Sequence, residues 1–363
     1  MTVQQKSSKR RMFFLDVMRI VCAFLIYARH SITMFGCSYG RILNGLFICM
    51  TGPVMTCFFM LSGFSVHYRY RNAELSASFT KSFLKKRFIA VMPSYLLVVL
   101  LWPLVFPDQL KTWAQLLPID LIGAQTTYRS LFGILHNGGT WFVSCILLAY
   151  LLYPVIKAVI QSREWAPAVL IIAAHFFLMY SSYVISQFSL DSLYANPIAR
   201  SVEFMIGAAF SEFLFSGEIS ENAGDSSALR KRRLKAAPLL AAVLCISALM
   251  AAVVHADTER LVFDYLATPG ILLSLLLASI LRSKWLEESK LLSVLSGMSY
   301  QFFLAQLFLW KLSDSLMDLL RLHGSIAQFA VSISCCTILS YTVWRFYDKP
   351  LRKLLGKKLL SAG

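Results

Sequence analysis

"MRIVCAFLIYARHS" (residues 18–31) carries an arginine, Arg19, and a histidine, His30, inside a run that is otherwise mainly apolar. The reading of this stretch decides the fold. A charged side chain at the centre of a bilayer costs roughly 2.5 kcal/mol or more, so it is rare there and marks function by default. The wider segment "KSSKRRMFFLDVMRIVCAFLIYARHS" (6–31) places a basic flank before a long apolar stretch. That stretch is too long for a cleaved leader, is interrupted by Arg19 and Arg29, and has no small-x-small cleavage site after it. The expectation is a retained first membrane helix.

Composition points the same way. Hydrophobic residues make up 57% of the 363 and charged residues 15%, against about 45–50% and about 25% for soluble domains. The net charge of +16 would raise nucleic acid as a partner for a soluble domain. Here the basic residues form short clusters between apolar runs, as in membrane loops, so no nucleic acid is expected. The eight cysteines lie mostly within those runs and show neither metal-ligand nor disulfide spacing. The six histidines are scattered, and no His/Asp/Glu pair has ligand spacing, so no metal is expected.

Apolar runs near 12–35, 44–68, 88–106, 140–160, 166–187, 198–216, 237–255, 262–281, 292–319 and 325–347 are each long enough to span the hydrocarbon core. Pro93 and Pro103 interrupt the third. The sequence therefore predicts an all-α integral membrane protein, a bundle of about ten transmembrane helices. With the N-terminus inside, 25 of the 35 Lys and Arg fall on the cytoplasmic side and 5 on the other, while Arg19, Arg29, Arg200, Lys311 and Arg345 fall within helices. By the positive-inside rule both termini are then cytoplasmic. This divides the chain into a basic N-terminus (1–11), a membrane domain (12–348) and a basic C-terminal tail (349–363). The long external segment 107–139, rich in Trp, Leu and Ile, suits an interfacial or re-entrant piece better than an open loop.

The polar residues inside these runs are the candidates for function. Arg19 and His30 are eleven positions apart, about 1100° of helical turn, so they share one face about 16 Å apart along the axis. Either the pair faces the bundle interior, or Arg19 snorkels and His30 is satisfied by a neighbouring helix. In "ARSVEFMIGA" (199–208), Arg200 and Glu203 stand at i and i+3, close enough to pair. An intramembrane glutamate marks a functional site unless the pair merely fixes helix packing. Gly207 suits close packing. Trp141 and Phe142 open "WFVSCILLAYLLYP", as interfacial aromatics or as site residues. Tyr300 and Gln306 put polar atoms into "SGMSYQFFLAQLFLW" (296–310), for packing or for a substrate. "KSFLKKRFIAVMP" (81–93) gathers Lys81, Lys85, Lys86 and Arg87, which suits topology and anionic membrane lipids or a phosphate-rich ligand.

Taken in order, these stretches resemble the acyltransferase-3 family from roughly residue 11 to 353. "FFLDVMRIVCAFLIYARHS" (13–31) is similar to its opening Arg, ten residues, His. "FFMLSGF" (58–64), "KKRFIAVMPSYL" (85–96), "TWFVSCILLAYLLYP" (140–154), "RSVEFMIGA" (200–208), "SGMSYQFFLAQ" (296–306) and "RFYDKPLRKLL" (345–355) follow in the family's order. The resemblance implies transfer of an acyl group, most often acetyl, from cytoplasmic acyl-CoA to a hydroxyl of a surface glycan or its lipid-linked precursor, in a bacterial inner membrane. It implies His30 as general base, Glu203 as its partner, and Arg19 at the mouth of the passage. Lys85, Lys86 and Arg87, with Arg19, would hold the CoA head. Trp141, Phe142, Arg200, Tyr300 and Gln306 would meet the substrates. Direct transfer and an acyl-His30 intermediate both fit.

Two departures stand out. The family's Ser-Tyr segment commonly ends in histidine, here Gln306, and no carboxylate follows Trp141 in "VSCILLAY". A proton-coupled transporter would also use internal Arg, His and Glu as a relay, though no pair of Gly/Pro-broken helices occupies matching halves, as transporter sites usually require.

Overall fold

A computed structural model describes residues 11–126, 140–187, 193–216, 226–253 and 259–361. The described residues are overwhelmingly helical, with no strand among them. The main helices are α1 (Phe13–Phe35), α2 (Arg41–Cys49), α3 (Thr51–Tyr70), α4 (Ala77–Val105), α5 (Leu110–Leu121), α6 (Trp141–Ile160) and α7 (Ala166–Gln187). They continue as α8 (Pro197–Phe215), α9 (Ser226–Val253), α10 (Glu259–Ile280), α11 (Lys284–Glu288), α12 (Lys290–Leu320), α13 (Ser325–Thr342) and α14 (Lys349–Ser361). Each of the ten expected runs falls on helix over its described residues, and among the described residues seven candidate spans are long and apolar enough to cross a membrane. Large apolar side chains such as Leu104, Val155, Leu249 and Ile338 point outward, as a lipid-facing surface requires.

Local chemistry explains where the elements start and stop. α8 begins at Pro197, after Asn196, whose side chain accepts from the Ile198 and Ala199 N–H groups, satisfying donors that a helix start leaves free. Gly36, at φ +70°, closes α1 in the left-handed conformation that glycine tolerates. The second run divides into α2 and α3 at Met50 rather than forming one helix over 44–68.

The third run differs more. It begins at Ala77, eleven residues before the expected 88, because Ser76 caps the Phe79 N–H and the basic stretch 81–87 is itself helical. Hydropathy detects only the apolar part of such a helix. Both prolines lie inside α4 without ending it. Pro103 has no N–H for the Val99 carbonyl four residues back, and the Trp113 indole of α5 donates to that oxygen at 2.8 Å. Tyr95 Oη donates to the Asp120 carbonyl at 2.5 Å. α5 therefore runs back along α4, and a Cβ at Gly123 would meet Leu147 and Met92. The described part of segment 107–139 is thus helical and packed against α4, not an open loop. Residues 127–139, like residues 1–10 of the basic N-terminus, lie outside the described residues.

The core is built on the crossing of α3 and α8. A Cβ on Gly63 would overlap the Phe204 carbonyl, and one on Gly207 would overlap the Met60 carbonyl. Two backbones in contact need a residue without a side chain on each helix. At one end of this pair, buried His67 on α3 bonds Glu212 on α8 through Nε2 at 2.5 Å and Tyr153 of α6 through Nδ1 at 3.2 Å. Lys157 Nζ donates to the Arg71 carbonyl at 2.8 Å. Together these bonds tie α3, α6 and α8 at one end.

Candidate active site

A cavity of about 350 Å³ lies between α1, α3, α4, α6, α12 and α14, and four arginines line it: Arg19, Arg69, Arg87 and Arg352. The four come from four different helices, α1, α3, α4 and α14. Arg19 donates to Asp16 at 3.2 Å and to Ser65 Oγ of α3 at 2.8 Å. Asp16 also accepts from Arg11 at 2.7 Å and from Ser296 of α12 at 2.5 Å. One carboxylate therefore clasps α1 to α12 and fixes the guanidinium. Arg87 donates to Tyr70 Oη at 3.1 Å and lies over the rings of Tyr70, Phe83 and Tyr150. Arg352 pairs with Asp348 at 2.6 Å. Asp348 in turn accepts from Ser94 at 2.8 Å, and Gln301 donates to Ser94 at 3.0 Å. The π-helical turn Val343–Asp348 sets this carboxylate; such turns are frequent at functional sites.

Four guanidinium groups line the cavity, and among the described residues Asp16 pairs with Arg19 and Asp348 with Arg352. The guanidinium is suited to phosphate, which it can bind through two parallel bonds. The opposite wall is apolar and aromatic, with Phe58, Ile146, Phe142 and Phe303. Tyr300 lines the cavity, and its hydroxyl donates to the Val91 carbonyl at 3.0 Å.

Beyond the aromatic wall lies a second polar layer. Arg200 Nη1 contacts both oxygens of Glu203, at 2.8 and 2.7 Å, and Thr56 donates to Glu203 at 2.9 Å. The guanidinium sits among the rings of Phe59, Trp141 and Tyr194, and Nε donates to the Tyr194 carbonyl at 2.9 Å. Pairing and cation–π contact compensate the burial of both charges. His30 is buried with its imidazole within reach of the Gln306 amide. Gln306 Nε2 donates to the Phe303 carbonyl at 2.9 Å. His30 and Gln306 thus stand side by side in the interior.

The structure distributes the sequence-predicted residues over these two layers. Arg19, Arg87, Phe142 and Tyr300 meet in the arginine cavity. Arg200, Glu203 and Trp141 form the second layer with Thr56, and His30 stands with Gln306. Among the described residues the partners of Glu203 are Arg200 and Thr56, and no hydrogen bond joins it to His30. Lys85 lines an adjoining groove of about 610 Å³ that shares Arg87 and Tyr150 with the cavity. Lys86 is exposed and lines neither. The sequence reading missed Asp16, Ser65, Arg69 and Arg352 as site residues. Arg352 and Asp16 lie within motifs that carry the resemblance, but their role appears only when α1, α12 and α14 come together. The described residues contain no group of three His, Cys, Asp or Glu that could hold a metal.

The comparisons with known proteins bear on this geometry. No curated protein and no solved structure matches the chain. The family model of the acyltransferase-3 acyltransferase domain matches residues 12–345. That span takes in α1 with Arg19 and His30, the α3–α8 crossing with the Arg200–Glu203 pair, and α12 with Tyr300 and Gln306. The match covers nearly the whole helical bundle, and the chain belongs to the acyltransferase-3 family of membrane acyltransferases.

Proposed function

We propose that the protein moves an acyl group, acetyl first among the candidates, from cytoplasmic acyl-CoA to a hydroxyl of a surface glycan or its lipid-linked precursor, in a bacterial inner membrane. The observation that carries this reading is a cavity lined both by four arginines and by apolar and aromatic side chains. Such a site fits a donor with a phosphate-bearing head and a slender arm. In this reading ten helices span the bilayer, both termini are cytoplasmic, and the arginine end of the bundle faces the cytoplasm. Arg19, Arg69, Arg87 and Arg352 hold the phosphates, and the thioester is delivered toward His30.

His30 acts there as general base. The acceptor hydroxyl gives its proton to the imidazole, its oxygen bonds to the acyl carbon, and the carbon–sulfur bond breaks. The leaving thiolate then takes the proton back from the imidazolium, so the histidine ends neutral. Imidazole suits this exchange because it accepts and returns a proton near neutral pH. Gln306 takes part as an amide that can hold the ring or the acceptor in place. The Arg200–Glu203 pair with Thr56 supports the layer in which the acceptor binds. Each of the two carboxylate-supported or ring-supported arginines, Arg352 and Arg87, should contribute about 1.5–3 kcal/mol as a hydrogen bond to a charged group.

The test is steady-state transfer in inside-out membrane vesicles. Arg87→Gln and Arg352→Gln should each raise KM for acyl-CoA about tenfold or more, with a smaller change in kcat. Unchanged KM in both variants would remove the cavity as the donor site.

A further inference from the structure

His30 is not among the residues that line the arginine cavity. Three phenyl rings from three helices line it together: Phe58 of α3, Phe142 of α6 and Phe303 of α12. Each ring touches the other two, with centroids 6.3 Å apart for Phe58–Phe142, 5.9 Å for Phe58–Phe303 and 5.2 Å for Phe142–Phe303. The second polar layer adjoins this triangle. Gln306 lies one turn beyond Phe303 on α12 and bonds its carbonyl. Phe142 packs on Phe59 at 4.9 Å, and Arg200 lies over the Phe59 ring. Thr56, two residues before Phe58, bonds Glu203. None of His30, Gln306, Thr56, Arg200 or Glu203 lines the cavity.

We propose that Phe58, Phe142 and Phe303 form a septum that the acyl-bearing arm must part to reach His30, and that this septum selects uncharged acyl groups over carboxylated ones. The proposal rests on the donor reading above. The physical ground is desolvation. A methylene or thioester segment loses little on passing between phenyl rings. A carboxylate at the end of a succinyl chain would be stripped of water with no donor to replace it. The arginines that would attract it lie on the entry side, so they hold a carboxylated acyl group in the cavity rather than draw it through. The rings also keep water in the arginine cavity away from the Arg200–Glu203 layer.

The experiment has two readouts. In the first, Gln306→Cys in inside-out vesicles reacts with an anionic, membrane-impermeant methanethiosulfonate, and modification is followed by mass on the peptide that contains position 306. Phe303→Ala or Phe142→Ala in this background should accelerate labelling at least tenfold. Phe303→Leu, which keeps an apolar occupant and controls for folding, should leave it slow. Equal rates with and without the ring would overturn the septum. In the second, the ratio of acetyl-CoA to succinyl-CoA turnover should fall at least fivefold in Phe303→Ala. A ratio that does not move would overturn the selection. If labelling responds as stated while no acyl-CoA is turned over by any variant, the donor reading fails, the acyl selection falls with it, and the barrier stands. If turnover is normal and labelling is insensitive to the rings, the septum alone is wrong.

Discussion

The Arg200–Glu203 pair is both buried and surrounded by protein, and its two charges stand or fall together. Glu203→Gln would leave the Arg200 guanidinium among Phe59, Trp141 and Tyr194 with no counter-charge. Removing one member of a buried ion pair typically costs about 3–5 kcal/mol, whereas replacing both by apolar residues is often neutral. Glu203→Gln should therefore lower the unfolding temperature in detergent markedly, and Arg200→Met with Glu203→Met together should recover most of the loss. If the single variant is as stable as the parent, the pair is not a structural requirement of the fold. At this scale the sequence was informative wherever a charge interrupts an apolar run, which is why Arg19, His30, Arg200 and Glu203 stood out. It was silent on Asp16, because a carboxylate near a helix start looks like ordinary capping chemistry. Only the approach of Ser296 and Arg11 reveals Asp16 as the residue that positions Arg19. The pairing of Glu203 with Thr56 instead of His30 was likewise out of reach, since spacing along one helix does not say which neighbour faces it.

Among the elements, the α3–α8 crossing carries the site. α3 contributes Thr56, Phe58 and Ser65, and α8 contributes Arg200 and Glu203, so a shift at the crossing moves both polar layers. Gly63 and Gly207 each face a backbone carbonyl of the other helix. Gly207→Ala should force the helices apart at a cost of about 1–3 kcal/mol, as overpacking does elsewhere, and reduce transfer with little loss of membrane insertion. Thermal unfolding and transfer assays on the same preparation check this. An alanine variant with native stability would mean that the helices are free to separate. The sequence marked Gly207 for close packing, and the structure bears that out. It placed the third helix too late because α4 begins in a basic, polar stretch that hydropathy cannot see. It read the prolines of α4 as interruptions because the Trp113 bond that satisfies the Val99 carbonyl comes from a different helix.

At the scale of the molecule, the claim is directional: an anionic donor enters at one face and an acyl group emerges at the other. The distribution of Lys and Arg predicts which face is which. In right-side-out cells, an impermeant thiol reagent should label Arg41→Cys and should label Lys353→Cys only after the membrane is opened. Labelling of Lys353→Cys in intact cells would invert the topology and with it the side from which the donor arrives. The general architecture was legible from composition and apolar run length alone. The division into an arginine cavity, an aromatic septum and a buried His30–Gln306 pair was not, because it depends on which faces of six helices converge.

The central claim is that His30 takes the acceptor proton, and one measurement meets it directly. Membranes carrying the parent protein or His30→Ala at matched expression are given radiolabelled acetyl-CoA, and label is followed from CoA into membrane and glycan fractions. The account predicts transfer by the parent and a loss of about a hundredfold or more in the variant, the range for removal of a general base. Equal transfer by both would contradict it and reduce His30 to a structural residue.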